Sequence, residues 1–245
     1  METPGAKQKV FVQLYKYAFQ DIQRVFFQNE ENRQFFIDHN IAVDKGMILP
    51  GSGVNLERYP YREYPGDGVI KFAFISRIMK EKGIDQYLDA AEVIREKYGD
   101  TVEFHVCGFC EPEYDGRLQK EASKGKVIYH GMIRDVAKFM SDMHCIIHPT
   151  YYPEGISNVL LEACAIGRPI ITTDRSGCRE VVDDGVNGYM IQCKNSEKLI
   201  EAIEKFLGLS WEQKKCMGIE ARRKVEHDFD RQIVVAKYVN EVDRT

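Results

Sequence analysis

Between residues 70 and 191 the chain alternates between short, unbroken apolar runs and longer stretches in which apolar positions recur at helical spacing. The runs at 70–75, 102–107, 127–129, 145–148, 169–173 and 188–191 read as strands, with helix-like segments between them. Such alternation predicts an α/β fold, a Rossmann-like doubly wound parallel sheet whose ligands sit beyond the carboxyl ends of its strands.

The flanks read differently. Residues 7–22 place Val10, Phe11, Leu14, Tyr17, Ala18 and Ile22 at helical spacing, and 25–27 is a short buried strand. Asn29 is a fair N-cap for a helix running to residue 39, and 47–49 is a further short strand before Pro50-Gly51. About one and a half α/β units cannot close a sheet alone, so residues 1–50 read as the tail end of another domain. Residues 51–228 form the expected main domain. Past residue 191 the pattern turns helical over 197–207, 210–226 and 231–242, with Ser210 and Gln213 spaced as a capping box. The last stretch, within 229–245, is apolar at Ile233, Val234, Ala236, Val239 and Val242.

Composition narrows the classes. With 245 residues, 44% hydrophobic, and a net charge of −4, the chain can bury a core and is too balanced for an unspecific nucleic-acid binder. No apolar run approaches the about 18 to 20 residues of a transmembrane helix, and Met1-Glu2-Thr3-Pro4-Gly5 does not look like a signal peptide, so a soluble cytoplasmic protein is expected. Seven cysteines at no framework spacing are expected to be reduced. Cys107-Gly108-Phe109-Cys110 has no second pair to complete a metal site, and it reads as a strand end where Gly108 lets backbone approach a ligand.

The chemistry concentrates in residues 151–169, where a Pro/Gly turn leads from a buried strand into an apolar-periodic helix. Ser157 is a plausible N-cap, leaving the amides of Asn158 and Val159 pointing outward beside the positive end of the helix dipole, an arrangement suited to phosphate. Glu154 in the loop and Glu162 one turn into the helix border the same cleft as acceptors for vicinal hydroxyls, which points to a nucleotide sugar. Arg77 and Lys82 bracket the loop after the first strand of the sheet and could both reach a diphosphate. His148, ending a buried strand, reads as a core histidine satisfied by backbone.

These motifs resemble the retaining glycosyltransferases of GT-B fold in the large group numbered four. The resemblance rests on Glu154 and Glu162 as a Glu-x7-Glu pair, on Gly155, on the run from Gly167-Arg168-Pro169 to Asp174, and on Gly177, Glu180, Asp184-Gly185 and Asn187-Gly188. It implies that the chain is the donor-binding half of such an enzyme, with the residues around 26–30 ending the acceptor-side domain and the last helix crossing back to it. Arg77, Lys82 and Glu154 then take the catalytic roles. Gly108, Met132, Ile133, Gly155, Ile156, Ser157, Asn158, Val159 and Glu162 hold the donor, with backbone groups after Gly131 taking the base. A flat apolar slot suits uracil at least as well as a purine, so a UDP-sugar is preferred.

No cofactor and no metal are expected, in keeping with the lack of an Asp-x-Asp run at a strand end. Retention of anomeric configuration is implied by the resemblance alone. The expected partners are a nucleotide sugar, a sugar or lipid-linked acceptor of cell-surface polysaccharide or glycolipid synthesis, and the remaining acceptor-side domain or a separate acceptor subunit; peripheral membrane contact belongs to the same expectation, and nucleic acid does not. The competing class is a non-catalytic nucleotide-sugar-binding subunit. A dinucleotide oxidoreductase is disfavoured because no G-x-G-x-x-G follows the strand at 70–75.

Overall fold

The apolar runs are continuous because both faces of their strands are covered, as in parallel sheets flanked by helices. In the computed structural model, which describes residues 6–243, the main sheet comprises β3 (Ile70–Ile75), β4 (Val102–Cys107), β5 (Ile128–Tyr129), β6 (Cys145–His148), β7 (Ile170–Thr173) and β8 (Gly188–Ile191). Its order is β5-β4-β3-β6-β7-β8 and every pairing is parallel. Phe72, Phe74, Tyr87, Phe104 and Phe206 fill one face, against α3 (Ile84–Tyr98) and α7 (Ser196–Leu207). Each fully buried phenyl ring contributes about 1.5–3 kcal/mol relative to exposure. Ala73, Ile146, Leu160, Leu161 and Ile166 fill the other face, with α5 (Val136–Ser141), α6 (Asn158–Ile166) and α8 (Trp211–Asp228).

Chain order reverses between β3 and β6. Both leave the centre of the sheet at this switch point, and the loops at their carboxyl ends flank one crevice. The helices expected between successive strands are present as α3, α4 (Pro112–Ser123), α5 and α6, but residues 174–187 between β7 and β8 cross over in turns without an α-helix. Gly177 and Gly185 have φ of +91° and +77°, in the left-handed region that interrupts a right-handed helix. The capping box at Ser210 and Gln213 forms as expected, with both reciprocal bonds in place.

Ahead of this sheet lie α1 (Ala6–Ala18), β1 (Val25–Phe27), α2 (Glu30–Asp38) and β2 (Gly46–Ile48), with β1 and β2 paired in parallel. Helix α1 ends earlier than its periodicity suggests. Phe19 turns back to stack on Tyr15 and to meet Phe36, and Lys45 Nζ takes the carbonyl of Gln20. The side chain it buries is Val12, whereas Val10, Phe11, Leu14 and Tyr17 are exposed. The last helix, α9 (Arg231–Val242), returns to this unit: Tyr238 packs edge-on against Phe26, and Glu241 pairs with Arg24. The segment entering the main sheet and the one leaving it are joined, Val54 donating to the Phe229 carbonyl at 2.8 Å and Arg231 to the Val54 carbonyl at 3.0 Å.

One buried cation holds part of this frame. Arg168, with no exposed surface, sends all five of its N–H directions to main-chain carbonyls: Nε to Met140, Nη1 to Arg62 and Gly167, and Nη2 to Glu63 and Ser141. It ties the 62–63 segment to α5 and α6.

Candidate functional site

The crevice at the switch point is assembled by one carbonyl. After β3 the chain makes a 3₁₀ turn over Lys80–Lys82, and the Glu81 carbonyl accepts from the amides of Tyr151 and Tyr152 and from Thr150 Oγ1. The loop after β6 is thus laid against the turn. Gly83 makes this approach feasible: its φ is +80°, and a Cβ there would lie 2.1 Å from the Pro149 carbonyl oxygen.

Lys82 Nζ consequently sits 2.5 Å from Glu154 Oε1 and over the Tyr152 ring, 4.7 Å from its centroid. His148 Nε2 lies 3.4 Å from the same oxygen. Oε2 of Glu154 has no hydrogen-bond partner among the described residues. Burial opposes ionisation of Glu154, but the His148 and Lys82 hydrogen bonds override it and hold the carboxyl down to about 2. Burial in turn lowers the His148 imidazole, with Glu154 opposing and Lys82 reinforcing that effect. The expectation of a backbone-satisfied His148 is corrected: its side chain is buried, and among the described residues its one polar partner is Glu154 and Nδ1 has none.

The loop carrying Glu154 is gripped from the other side. Asn29, which caps α2 by accepting from the Asn32 amide, donates Nδ2 to the carbonyls of Glu154 and Gly155 at 3.1 and 2.8 Å. Gln28 packs so closely that a Cβ on Gly155 would lie 1.7 Å from its Oε1. Ile156 is buried beneath Gly51, and Val159 packs against the core. Ser157 precedes α6 at the N-cap position but makes no side-chain cap, another correction. Its amide donates to the Gly177 carbonyl at 2.8 Å, in a turn braced by the Glu180 carboxylate on the Gly177 amide. The Asn158 side chain accepts from Ser52 Oγ at 3.0 Å, and α6 begins there with first-turn amides that have no intrahelical acceptor.

Arg77 stands apart from Lys82. It is 61% exposed, with Glu111 at 3.9 Å as a loose partner, whereas Lys82 is 16% exposed. Gly108 does serve close approach, though to protein: its φ is +142°, and a Cβ would lie 1.8 Å from the Ser76 carbonyl, next to Arg77. Its amide donates to the Gly131 carbonyl, so the β4 and β5 loops abut. Beyond Gly131, Met132 is highly exposed and Ile133 is partly buried against the core.

Glu162 lines a recess that Glu154 and Lys82 do not line, which corrects the expectation that the two glutamates border one cleft. It lines a pocket of about 120 Å³ with Ser52, Asn55, Arg58, Asn158 and Arg231. Burial raises its carboxyl, offset in part by a hydrogen bond from the Tyr59 hydroxyl and by the Arg58 charge. Tyr59 is pushed up to about 12 by burial and by Glu162, so it remains a donor at neutral pH. Among the predicted residues, then, Lys82 and Glu154 meet directly, Gly108 joins the Arg77 and Gly131 loops, and Glu162 is held by a residue that sequence reasoning passed over. Only an aromatic at the end of the 51–59 segment marked Tyr59, and only a histidine six residues before Glu154 marked His148.

The chain is 23% identical over 246 residues to the N,N'-diacetylbacillosaminyl-diphospho-undecaprenol alpha-1,3-N-acetylgalactosaminyltransferase of Campylobacter jejuni, covering 94% of this chain and 63% of that protein. It is 25% identical over 224 residues to the capsular polysaccharide biosynthesis glycosyltransferase CapM of Staphylococcus aureus, covering 84% and 57%. The chain thus spans about 60% of these curated relatives. Among solved structures, Anabaena Alr3699/HepE in complex with UDP superposes with a TM-score of 0.85 at 16% identity, covering 99% of this chain and 70% of that one. TarM superposes at 0.80 with 20% identity, covering 98% and 47%. The fold is that of GT-B glycosyltransferases. The profile described as glycosyl transferases group 1 matches residues 70–208, which carry the central sheet, the Lys82–Glu154 pair and Glu162, and with over half its length so matched, the chain belongs to that family.

Proposed function

We propose that the chain forms the donor-binding half of a glycosyltransferase that takes a UDP-linked sugar, without a metal ion and with retention of configuration, and passes it to a cell-surface polysaccharide or glycolipid acceptor. The observation that carries this reading is the pairing of Lys82 with Glu154 at the switch point, ahead of the α6 N-terminus and with Arg77 exposed at the rim. Departure of a nucleoside diphosphate builds negative charge on the leaving oxygen. Lys82, Arg77 and the first α6 amides supply positive charge and donors against that charge, which makes a metal unnecessary in this reading. Glu154 offers Oε2 to the sugar hydroxyls, and Glu162, kept in place by Tyr59, accepts from the ribose. The UDP and UDP-glucose complexes of Anabaena Alr3699/HepE support the choice of base, and the named activities of the relatives support the class of acceptor. Residues 1–50 read here as the end of the acceptor-side domain, and the chain's 57–63% coverage of its relatives leaves room for the rest of it.

Titration calorimetry with UDP, UDP-glucose and GDP, each in EDTA and with magnesium, tests the reading. UDP and UDP-glucose are expected to bind in EDTA, with GDP weaker. Binding that appears only with magnesium would overturn the metal-free claim, and no binding of any diphosphate would overturn the whole.

A further inference from the structure

The two oxygens of Glu154 are not equivalent. Oε1 receives both protein donors, Lys82 Nζ and His148 Nε2, while Oε2 has no partner among the described residues. Lys82 is also a cation at the crevice, and a diphosphate entering there competes with Glu154 for it. Once Lys82 turns toward the phosphates, His148 is the remaining donor on Oε1.

His148 is built for this and for little else. It is the last residue of β6, its main-chain carbonyl accepts from Thr172 Oγ1 at 2.8 Å, and its ring is buried. The buried Nδ1 has no partner. A neutral ring with the proton on Nε2 puts the N–H against Glu154 and leaves a bare lone pair at Nδ1. The opposite tautomer would bury an unsatisfied N–H and set two lone pairs, on Nε2 and Oε1, against each other. The charged and titratable groups around the pair are Lys82, from the turn after β3, and the Cys178 thiol, from the β7–β8 crossover.

We infer that His148 is a positioning residue for sugar recognition: its Nε2–H holds Glu154 by Oε1 while Lys82 serves the diphosphate, so that Oε2 stays aimed at the sugar hydroxyls. The inference rests on reading the site as a nucleotide-sugar pocket. It assigns a role to a residue outside the charged set, and it separates two contributions to donor affinity. The uridine diphosphate part depends on Lys82, and the added affinity from the sugar depends on His148 acting through Glu154.

The test has a ligand-free and a ligand-bound arm, both on the full chain. In the ligand-free arm, the nitrogen-15 spectrum of His148, assigned by its loss in His148→Leu, is expected to show the neutral, Nε2-protonated tautomer at neutral pH. The Nδ1-protonated tautomer or a charged ring would overturn the inference whatever the protein binds. In the second arm, UDP, UDP-glucose and UDP-N-acetylgalactosamine are titrated into wild type, His148→Leu and His148→Gln, with circular dichroism and thermal unfolding confirming the fold. His148→Leu is expected to weaken the preferred UDP-sugar about tenfold, the scale of one hydrogen bond to a charged group, while UDP changes less than about twofold. His148→Gln, which keeps a donor, is expected to recover part of the loss. Equal weakening of UDP and UDP-sugar, or no change in either, would overturn the inference. If the wild-type chain binds no uridine nucleotide, the pocket reading falls and the sugar role with it, whereas the tautomer still decides whether His148 holds Glu154.

Discussion

Two cations of this molecule, Arg168 and Lys82, are held in opposite ways. Arg168 has its guanidinium donors spread over five main-chain carbonyls, with no carboxylate in ion-pair contact among the described residues and no direction left over. Burial brings it down only to about 10, so it stays charged at neutral pH. Lys82 is partly buried, and it pairs with a carboxylate whose other oxygen has no partner among the described residues, beside a histidine with a nitrogen equally unpartnered there. Both lie in segments that resemble one family pattern. Saturation fits the first for scaffold, and residual capacity leaves the second open to a ligand, because a fully bonded group has nothing to offer one.

Substitution at the two cations should break apart accordingly. Arg168→Ala is expected to cost about 4 kcal/mol of stability, since it strands several buried carbonyls at once; urea unfolding measures this, and the ratio of UDP to UDP-sugar affinity in the protein that remains folded should not move. Lys82→Ala is expected to weaken UDP and UDP-sugar alike by about 1.5–3 kcal/mol, the range for a charge-assisted hydrogen bond, with less effect on unfolding than Arg168→Ala. Calorimetry at fixed salt separates the two. Arg77→Ala should act in the same direction but by no more than about 1 kcal/mol, because an exposed charge is screened. Equal losses at Arg77 and Lys82 would show that Arg77 folds inward on binding.

Finer effects sharpen the contrast. Glu154→Gln is expected to leave UDP affinity within about threefold and to remove most of the increment from the sugar, on the scale of one charge-assisted hydrogen bond. A loss of UDP affinity matching that of Lys82→Ala would take Glu154 away from the sugar. The smallest effect concerns acid. Burial lowers His105, His144 and His148, so the folded chain binds fewer protons than the unfolded chain as pH falls through about 6.5. Stability is therefore full above that pH and declines below it. His148→Leu removes one of these groups and should flatten the decline, which thermal midpoints collected between about pH 7 and pH 5 will show.

What was legible in the sequence follows the range of each interaction. Strands β3, β4, β6 and β8 and helix α9 fall on the bounds read from apolar runs and periodicity, because burial is written into consecutive residues. The cap at Asn29 and the box at Ser210 and Gln213 were legible for the same reason, their partners lying three residues away. Ser157 stands at the N-cap position without a side-chain cap, and the partner of its amide, the Gly177 carbonyl, lies 20 residues downstream where no local pattern announces it. Helix α1 was misread at its end and its buried face because Phe36 and Lys45, both outside the helix, decide where the chain turns. At the site, residue types pointed to Lys82, Glu154 and Glu162. Which partner holds each one depended on contacts 72 residues apart for Lys82 and Glu154, and on a side chain as distant as Tyr59 for Glu162.

The Glu81 carbonyl, shared by Thr150, Tyr151 and Tyr152, has a bearing on how this chain can vary in length. Surface loops ordinarily absorb insertions with little penalty. Here the β3 loop and the β6 loop hang from one oxygen, and their ends must still bring Lys82 within 2.5 Å of Glu154. One added residue extends the chain by up to about 3.5 Å, more than the whole length of that contact. Insertions between Ile75 and Gly83, or between His148 and Glu154, will therefore be purged from functional variants, whereas the bend at Gly68, where an added Cβ meets open space, is free to lengthen.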